Sequence, residues 1–350
     1  MALSPEMKAR IEDRVNTGLP DHWYPVAKSV EVRADAPYGV VALGEKLVLW
    51  RDKTGKIRCI QDFCPHRGAP LSYGEVHAGN IACRYHGLVI DGTGTVQEVP
   101  AMPDCPMEGR KALRSFHVRE SSDAVFVFMS SNEETEPPEL PLSPELTDPD
   151  WTGFLCTAIW EVNYRYALDN LADPMHGCYL HADSFTLAFG SKQDLLELNN
   201  RDEGFRVARV GQIGENFDWV EFETPEGGMY CHLDIPYPPA AGPGGNMRIV
   251  GYVLPMGPQK CKVFFWRMRK VQGFERESFR FLYRAQLEEN SWSVLEQDRV
   301  MLEGMADHSR TREMLYQHDI GLAHLRRALN RTARAQLEAE DAAAGVVAAQ

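Results

Sequence analysis

Long apolar runs are missing from this chain of 350 residues: no segment approaches the roughly 20 consecutive apolar residues that span a bilayer. Residues 1–8 are polar and contain no apolar stretch of the signal-peptide kind, so the expectation is a soluble, cytoplasmic protein without a membrane partner. Positive charge is scarce as well. Lys and Arg number 37 against 50 Asp and Glu, a net charge of −13, and the basic residues are dispersed rather than clustered. Nucleic-acid binding leans on phosphate neutralisation by such residues, and this balance argues against it. Eight cysteines are present, but in a cytoplasmic chain they are expected to be reduced thiols rather than a disulfide framework. Cys59, Cys105, Cys156, Cys178, Cys231 and Cys261 are scattered, with no metal-type pairing among them, and read as small buried hydrophobes. There is no internal repeat.

The other two cysteines stand in the most informative pattern of the chain. Cys64-Pro65-His66 and Cys83-Arg84-Tyr85-His86 each offer one thiol and one imidazole. In a Rieske [2Fe-2S] centre two thiolates hold one iron and two imidazoles hold the other, and neutral imidazole raises the reduction potential above that of an all-cysteine cluster. Cys64, His66, Cys83 and His86 therefore predict a one-electron carrier. A structural Cys2His2 zinc site uses the same donors, but it usually separates the donors of each half by at least two residues, whereas one residue separates Cys64 from His66. Iron and acid-labile sulfide analysis distinguishes the two readings.

A module of this kind needs only about a third of the length, so the chain predicts two domains. Short β-rich stretches run from residue 40 to residue 128, broken by turn signals at 53–56 and 91–94, and suit a small β-sandwich with ligands on its loops. Residues 131–150 hold five prolines and seven acidic residues and predict an extended, solvated linker. Strand-like segments follow at about 204–210, 217–223, 229–235, 247–254 and 261–269, then helical spacing over 275–305 and 316–338. The expected fold class is α+β: an all-β Rieske domain at 20–130, a linker at 131–150, and a catalytic domain at 151–340 with a curved antiparallel sheet gripped by a long helix. Residues 1–19 are expected to pack on the catalytic domain, and the Ala-rich residues 341–350 to form a frayed tail.

A second pattern lies at Asp169-Asn170-Leu171-Ala172-Asp173-Pro174-Met175-His176-Gly177-Cys178-Tyr179-Leu180-His181. Residues i and i+5 lie about 140° apart on a regular helix, so His176 and His181 meet one metal only where the helix ends or kinks. Pro174 and Gly177 supply such an irregularity. Two histidines and a carboxylate with open positions form the facial triad of non-haem Fe(II) oxygenases. Taken alone, the pair reads first as two histidines that happen to share a helix. Cys178, between them, reads as a packing residue rather than a ligand.

The stretch Asp62-Phe63-Cys64-Pro65-His66-Arg67-Gly68-Ala69-Pro70-Leu71-Ser72, followed by Tyr85-His86-Gly87-Leu88, resembles the Rieske domain of aromatic-ring-hydroxylating and demethylating oxygenases. Respiratory Rieske proteins carry an additional disulfide-forming cysteine in each loop, where this chain has Ala69 and Tyr85. The Asp-x-x-His-x4-His pattern of residues 173–181 is similar to that family's mononuclear iron motif, and both motifs occur in the family's order. The resemblance implies a third iron ligand on a late helix, with Glu288, Glu289, Glu296, Asp298 and Glu303 as candidates. Val294, Asp298, Met301 and Met305 follow 4, 3, 4 spacing, which puts Asp298 on the apolar face, while Glu296 lies about 200° away. Leu295-Glu296-Gln297-Asp298 also resembles the family's third-ligand segment.

By the same resemblance, Asp173 is not a ligand. It hydrogen-bonds His176 and bridges to a Rieske histidine matching His86 in the next subunit of a head-to-tail homotrimer or a multiple of one. Residue by residue, an N-cap before Pro174 is the other reading of Asp173, and the two are compatible.

The implied function is an oxygenase component for aromatic catabolism that hydroxylates a small aromatic substrate, expected to be carboxylated, with O2 as co-substrate. Its electrons would come from NAD(P)H through a reductase or ferredoxin. Arg84 and Leu88 stand where many ring dioxygenases have Pro and Trp, and Tyr-His-Gly-Leu resembles the vanillate and dicamba O-demethylase branch, so O- or N-demethylation rivals hydroxylation. A carboxylated substrate would draw Arg201, Arg206, Arg209 or Arg248 into its site, although exposed strand positions explain most of them better. A Rieske electron carrier whose large domain only binds a partner is the alternative of another class.

Overall fold

The computed structural model describes residues 3–305 and 309–348. Its N-terminal β region is built from three small antiparallel sheets. Strands Tyr38–Ala42, Glu45–Arg51 and Ile57–Gln61 form one, and Glu75–His77, Asn80–Ala82, Val89–Ile90 and Val96–Glu98 form another. The third joins His22–Lys28, Ala124–Met129 and Val118–Ser121. Ala124–Met129 is buried along its whole length, and so alternation fails there: both faces of that strand are covered.

The C-terminal half is one seven-stranded antiparallel sheet. Its order is Trp151–Trp160, Lys260–Lys270, Met247–Gly257, Tyr230–Ile235, Trp219–Glu223, Gly204–Arg209 and Leu196–Arg201. The outer strands Trp151–Trp160 and Leu196–Arg201 escape the sequence reading because each mixes polar and apolar residues without strict alternation. The sheet buries both faces. Phe264, Trp266 and Met268 pack with Trp23, Val26 and Phe126 of the N-terminal region, so the two halves share this core, while each also encloses a core of its own. Phe265 and Arg267, pointing the other way, face a cavity roofed by helices.

Residues 131–150 are not the solvated linker that their composition suggests. Leu140, Leu142 and Leu146 pack against the shared core, and Trp23 Nε1 donates to the Pro138 carbonyl at 3.0 Å. Proline keeps this segment extended while its leucines anchor it. Of the tail expected at 341–350, residues 341–348 instead continue the C-terminal helix, which runs Ile320–Ala348 without a break, and residues 349–350 lie outside the described residues. Alanine is the strongest helix former. Helix Pro5–Thr17 also lies alongside, with Arg10 paired to Asp341 at 2.8 Å and Arg14 to Glu340 at 2.9 Å.

The helical stretch expected over 275–305 is two helices, Gly273–Leu282 and Glu288–Glu303, joined by a π-turn at Tyr283–Leu287. The extra residue in that turn buries both Tyr283 and Leu287 and sets the rotational phase of the helix that carries Asp298.

Asp169, buried on helix Tyr164–Leu171, ties that helix to the C-terminal one by accepting from Arg310 and from Arg326, the latter at 2.7 Å. Replacing it by Ala removes the buried carboxylate that Arg310 pairs with and leaves Arg326 with Glu313 alone, and the Asp169→Ala protein is expected to lose roughly 3 kcal/mol in equilibrium denaturation. An unchanged denaturation midpoint would contradict this role.

Candidate active site

The two cysteine loops share one backbone design. Cys64 N–H donates to the Ala69 carbonyl at 2.7 Å and Gly68 N–H returns to the Cys64 carbonyl at 2.7 Å; Cys83 to Leu88 and Gly87 to Cys83 repeat the pattern at 2.8 Å each. Gly68 and Gly87 close these turns at φ 76° and 77°, a region open to glycine at little cost. The loops therefore present Cys64 and Cys83 to the interior and His66 and His86 to the surface, with the imidazole centroids 4.6 Å apart. Arg67 lies 5.4 Å over the Tyr85 ring, a non-covalent link between loops in which Ala69 and Tyr85 offer no disulfide. Asp62 pins the first loop by accepting from Ser72 N–H at 2.7 Å and Ser72 Oγ at 2.6 Å.

Donors held about 2.0–2.3 Å from a single zinc ion lie within about 4.6 Å of one another. Among the described residues, two sets of His, Cys, Asp or Glu donors meet a 4.8 Å limit, and Cys64, His66, Cys83 and His86 are not one of them. Their wider spread fits a two-iron cluster, thiolates at one end and imidazoles at the other, better than one tetrahedral ion. Burial pushes the Cys64 thiol up to about 11, so a bound metal is what would hold it as thiolate.

His176, His181 and Asp298 form one of the two close sets. His176 is the N-cap and His181 the C-cap of a four-residue helix, Gly177–Leu180, so the pair flanks a short helix instead of sharing a face of a long one. Gly177 allows the approach: a Cβ there would lie 2.7 Å from the Phe217 ring. Asp298 Oδ1 lies 3.6 Å from His176 Nε2 and 3.3 Å from His181 Nε2. Both rings are oriented through Nδ1, which donates to the Asp173 carbonyl at 2.7 Å in His176 and to Gln297 Oε1 at 2.8 Å in His181. That leaves both Nε2 lone pairs free for a metal.

Asn170 Nδ2 donates to Asp298 Oδ1 at 3.2 Å. Burial alone would lower the His181 pKa, but the hydrogen bond and charge of Asp298 outweigh it and raise it above the ordinary imidazole value. The site thus favours positive charge, as a divalent cation requires.

Several sequence expectations change here. Glu296 is exposed and paired with Arg299, and Asp298 is buried, in line with the helical phase. Met301 and Met305, expected on the same buried stripe, are exposed. Met301 is in the last turn of the helix and Met305 lies beyond its end, and they line an open groove with Asp173, His176 and Tyr179. Asp173 contacts His176 through its backbone carbonyl; its carboxylate lies 3.9 Å from Nδ1 and instead accepts from Met175 N–H at 2.7 Å, capping the turn. Cys178 is buried, with its thiol directed at the Met175 and Ser191 carbonyls.

Arg201 and Arg206 pair with Glu221, Arg209 with Asp194, and Arg248 with Asp234 and Glu145. None of these four arginines lines the cavity beside the triad. The second close donor set, Glu221, Glu223 and His232, sits within this arginine network, where Glu221 is already neutralised.

The cavity over His176, His181 and Asp298 is walled by Phe185, Phe217, Leu233, Ile249, Phe265 and Val294. It suits a flat apolar ligand. Asn170, Gln297 and Arg267 were not singled out from the sequence. For Arg267 a signal existed: on strand Lys260–Lys270, Cys261, Val263 and Phe265 alternate on one face, and an arginine continues that apolar series.

Known proteins share this organisation. Residues 22–117 match the Rieske [2Fe-2S] domain, and residues 160–335 match the vanillate O-demethylase oxygenase C-terminal domain. The vanillate O-demethylase oxygenase subunit of Pseudomonas sp. (strain HR199 / DSM 7063) is 34% identical over 189 residues, 53% of this chain and 50% of that protein. Methylxanthine N3-demethylase NdmB of Pseudomonas putida is 31% identical over 247 residues, 67% of each chain. In several of the curated relatives the aligned stretch is half or less of the relative's own length.

Among solved structures, the terminal oxygenase of carbazole 1,9a-dioxygenase from Nocardioides aromaticivorans IC177 superposes with a TM-score of 0.77 over 93% of this chain and 97% of its own, at 21% identity. Among the described residues no helix is long and apolar enough to cross a membrane. With both family models matched in order and a relative covered over two thirds of its length, the chain belongs to the Rieske oxygenases whose C-terminal domain is of the vanillate O-demethylase type.

Proposed function

We propose that this protein is the oxygenase component of a multicomponent Rieske monooxygenase that demethylates a small aromatic substrate. A single observation carries the reading: an apolar cavity opens directly onto His176, His181 and Asp298. When bound, the cluster at Cys64, His66, Cys83 and His86 supplies one-electron transfer and the iron at His176, His181 and Asp298 supplies O2 activation.

The chain's own residues set up that chemistry. His66 and His86 stand at the surface, where a ferredoxin or reductase and a neighbouring subunit can approach. Asp173 lies beside His176 at the edge of the open groove, ringed by exposed Tyr179, Met301, Met305 and Leu315. Such an apolar rim beside the Asp173 carboxylate suits docking of the next subunit's cluster domain in a homotrimer. Inside, Asp173 and Gln297 fix the imidazoles, Asn170 holds Asp298, and the apolar wall excludes water from the substrate.

Demethylation is preferred over ring dihydroxylation because the matched C-terminal domain is that of an O-demethylase and relatives include both O- and N-demethylases. Hydroxylating an O- or N-methyl group places one oxygen atom on the methyl carbon and reduces the other to water with two electrons from the reductase. The C–O or C–N bond of the resulting hemiacetal or hemiaminal then breaks, giving formaldehyde and the phenol or N–H heteroaromatic, which takes up the hydroxyl proton. Incubation of methoxybenzoates and N-methyl heteroaromatics with a surrogate reductase is expected to give stoichiometric formaldehyde and coupled O2 uptake. A cis-diol product would overturn the demethylase reading.

A further inference from the structure

Among the described residues, Arg267 is the one arginine in the wall of the cavity. It comes from the sheet floor, is 2% exposed, and no carboxylate among the described residues lies within ion-pair distance of it. Its Nη1 donates to Tyr283 Oη at 3.0 Å, while Nη2 is buried with no hydrogen-bond partner. The guanidinium lies 5.0 Å from the Trp292 ring, and Tyr283 stacks on Phe154 at 3.9 Å. Its plane is therefore fixed by two aromatic residues from the π-turn and the helix after it.

A buried, unpaired cation is costly, and proteins normally supply a counter-ion. Asp298, the acidic residue of the cavity wall, is committed to the histidine pair. Arg269, two residues along the strand, also has unpartnered nitrogens, but it does not line the cavity and its Nη1 is held by the Ala241 and Pro243 carbonyls at 2.9 Å. Asn290 and Ser291 face the cavity and add neutral polar groups without adding negative charge.

We propose that the missing counter-ion is the substrate's own carboxylate, and that Arg267 is the residue that selects for it. The substrate class becomes an aromatic acid bearing the methyl group to be removed. The rim of Phe185, Phe217 and Phe265 would stack the ring, and the Arg267 fork would fix its orientation toward the triad. A guanidinium suits this role because it stays charged when buried and matches a carboxylate in shape. This inference rests on the reading of the cavity as the substrate site.

The test is calorimetric titration of the full-length protein, loaded with cluster and iron and kept anaerobic, with 3-methoxybenzoate and 4-methoxybenzoate and with the neutral amide of each. At least one acid is expected to bind about tenfold or more tightly than its amide, the scale of a charge-assisted hydrogen bond. Arg267→Gln is expected to abolish that preference by weakening the acid, leaving the amide within about twofold. Arg267→Lys should keep part of it.

Equal binding of acid and amide by the native protein, no binding of either acid, or an acid preference that survives in Arg267→Gln would overturn the proposal. Should Arg267→Gln fail to fold, the native acid-to-amide ratio and the Arg267→Lys protein decide the matter. Binding is read without turnover, so a protein that prefers acids yet releases no formaldehyde refutes the demethylase reading alone, and one that demethylates neutral substrates equally well refutes this one alone.

Discussion

The His176→Ala protein is expected to keep the visible absorption and acid-labile sulfide of its cluster, to lose about one iron per subunit, and to lose oxygenation by more than about a thousandfold, or roughly 4 kcal/mol of barrier lowering. The expectation follows from separation of the two donor sets. Cys64, His66, Cys83 and His86 sit on loops of the N-terminal sheets, whereas His176 caps a short helix in the other half of the chain. Nothing in the cluster loops touches His176, so its removal should leave their backbone design intact.

At the mononuclear site the substitution removes one of three donors and leaves Asp298 facing His181 alone. Metal analysis, the visible spectrum and coupled O2 uptake on one preparation check all three parts. Unchanged iron content with unchanged activity would sink the oxygenase assignment and leave the chain an electron carrier. Zinc in place of iron and sulfide at the first site would sink the cluster assignment.

Asp173→Asn should behave differently. Iron content at both sites is expected to stay native, while steady-state turnover falls by about 10- to 100-fold, the usual range for residues just outside a metal's ligand shell. The backbone carbonyl of Asp173, which Asn retains, orients His176. Its side-chain oxygen accepting from Met175 N–H is also retained by an amide. What Asn removes is the negative charge at the groove beside His176, where the proposed trimer brings the neighbour's His86.

Reduction of the cluster by the reductase should remain fast, and re-oxidation of the cluster by O2 in the presence of substrate should slow. Stopped-flow absorption at the cluster's visible bands separates the two steps. Native re-oxidation in Asp173→Asn would leave Asp173 as a turn cap and nothing more.

How much was legible depended on how local the constraint is. The ligand loops could be read because a cluster needs its donors at fixed short spacings, and Gly68 and Gly87 mark the turns that provide them. The pair at 176 and 181 could be read only as a spacing that a regular helix cannot use. Its resolution, a four-residue helix bounded by the two histidines, follows from Pro174, Gly177 and the close approach of Phe217. Asp298 was selected by helical phase, and its burial matches that phase. The Met301 and Met305 part of the same stripe was misread because periodicity cannot tell where a helix runs past its sheet.

Pairing across the sheet was beyond the sequence. Arg201, Arg206, Arg209, Arg248 and Arg267 all lie on strands, and residue type alone does not separate them; the apolar alternation that Arg267 continues marks a strand face but not what that face meets. Register and facing do: four sit on carboxylates outside the cavity, and one sits inside it with no carboxylate at all. The 131–150 segment was misjudged for a related reason, since composition reports the average polarity of a segment and not the few leucines that anchor it.

By itself the sequence pointed to the two candidate donor sets, the class of each metal centre and the order of the two halves, because these rest on residue type and spacing along one chain. The tertiary structure decided which carboxylate meets which histidine, that the two halves share a core, and which arginine faces the cavity. Those depend on strand register and helix phase. A shift of one residue in a strand sends every side chain to the opposite face.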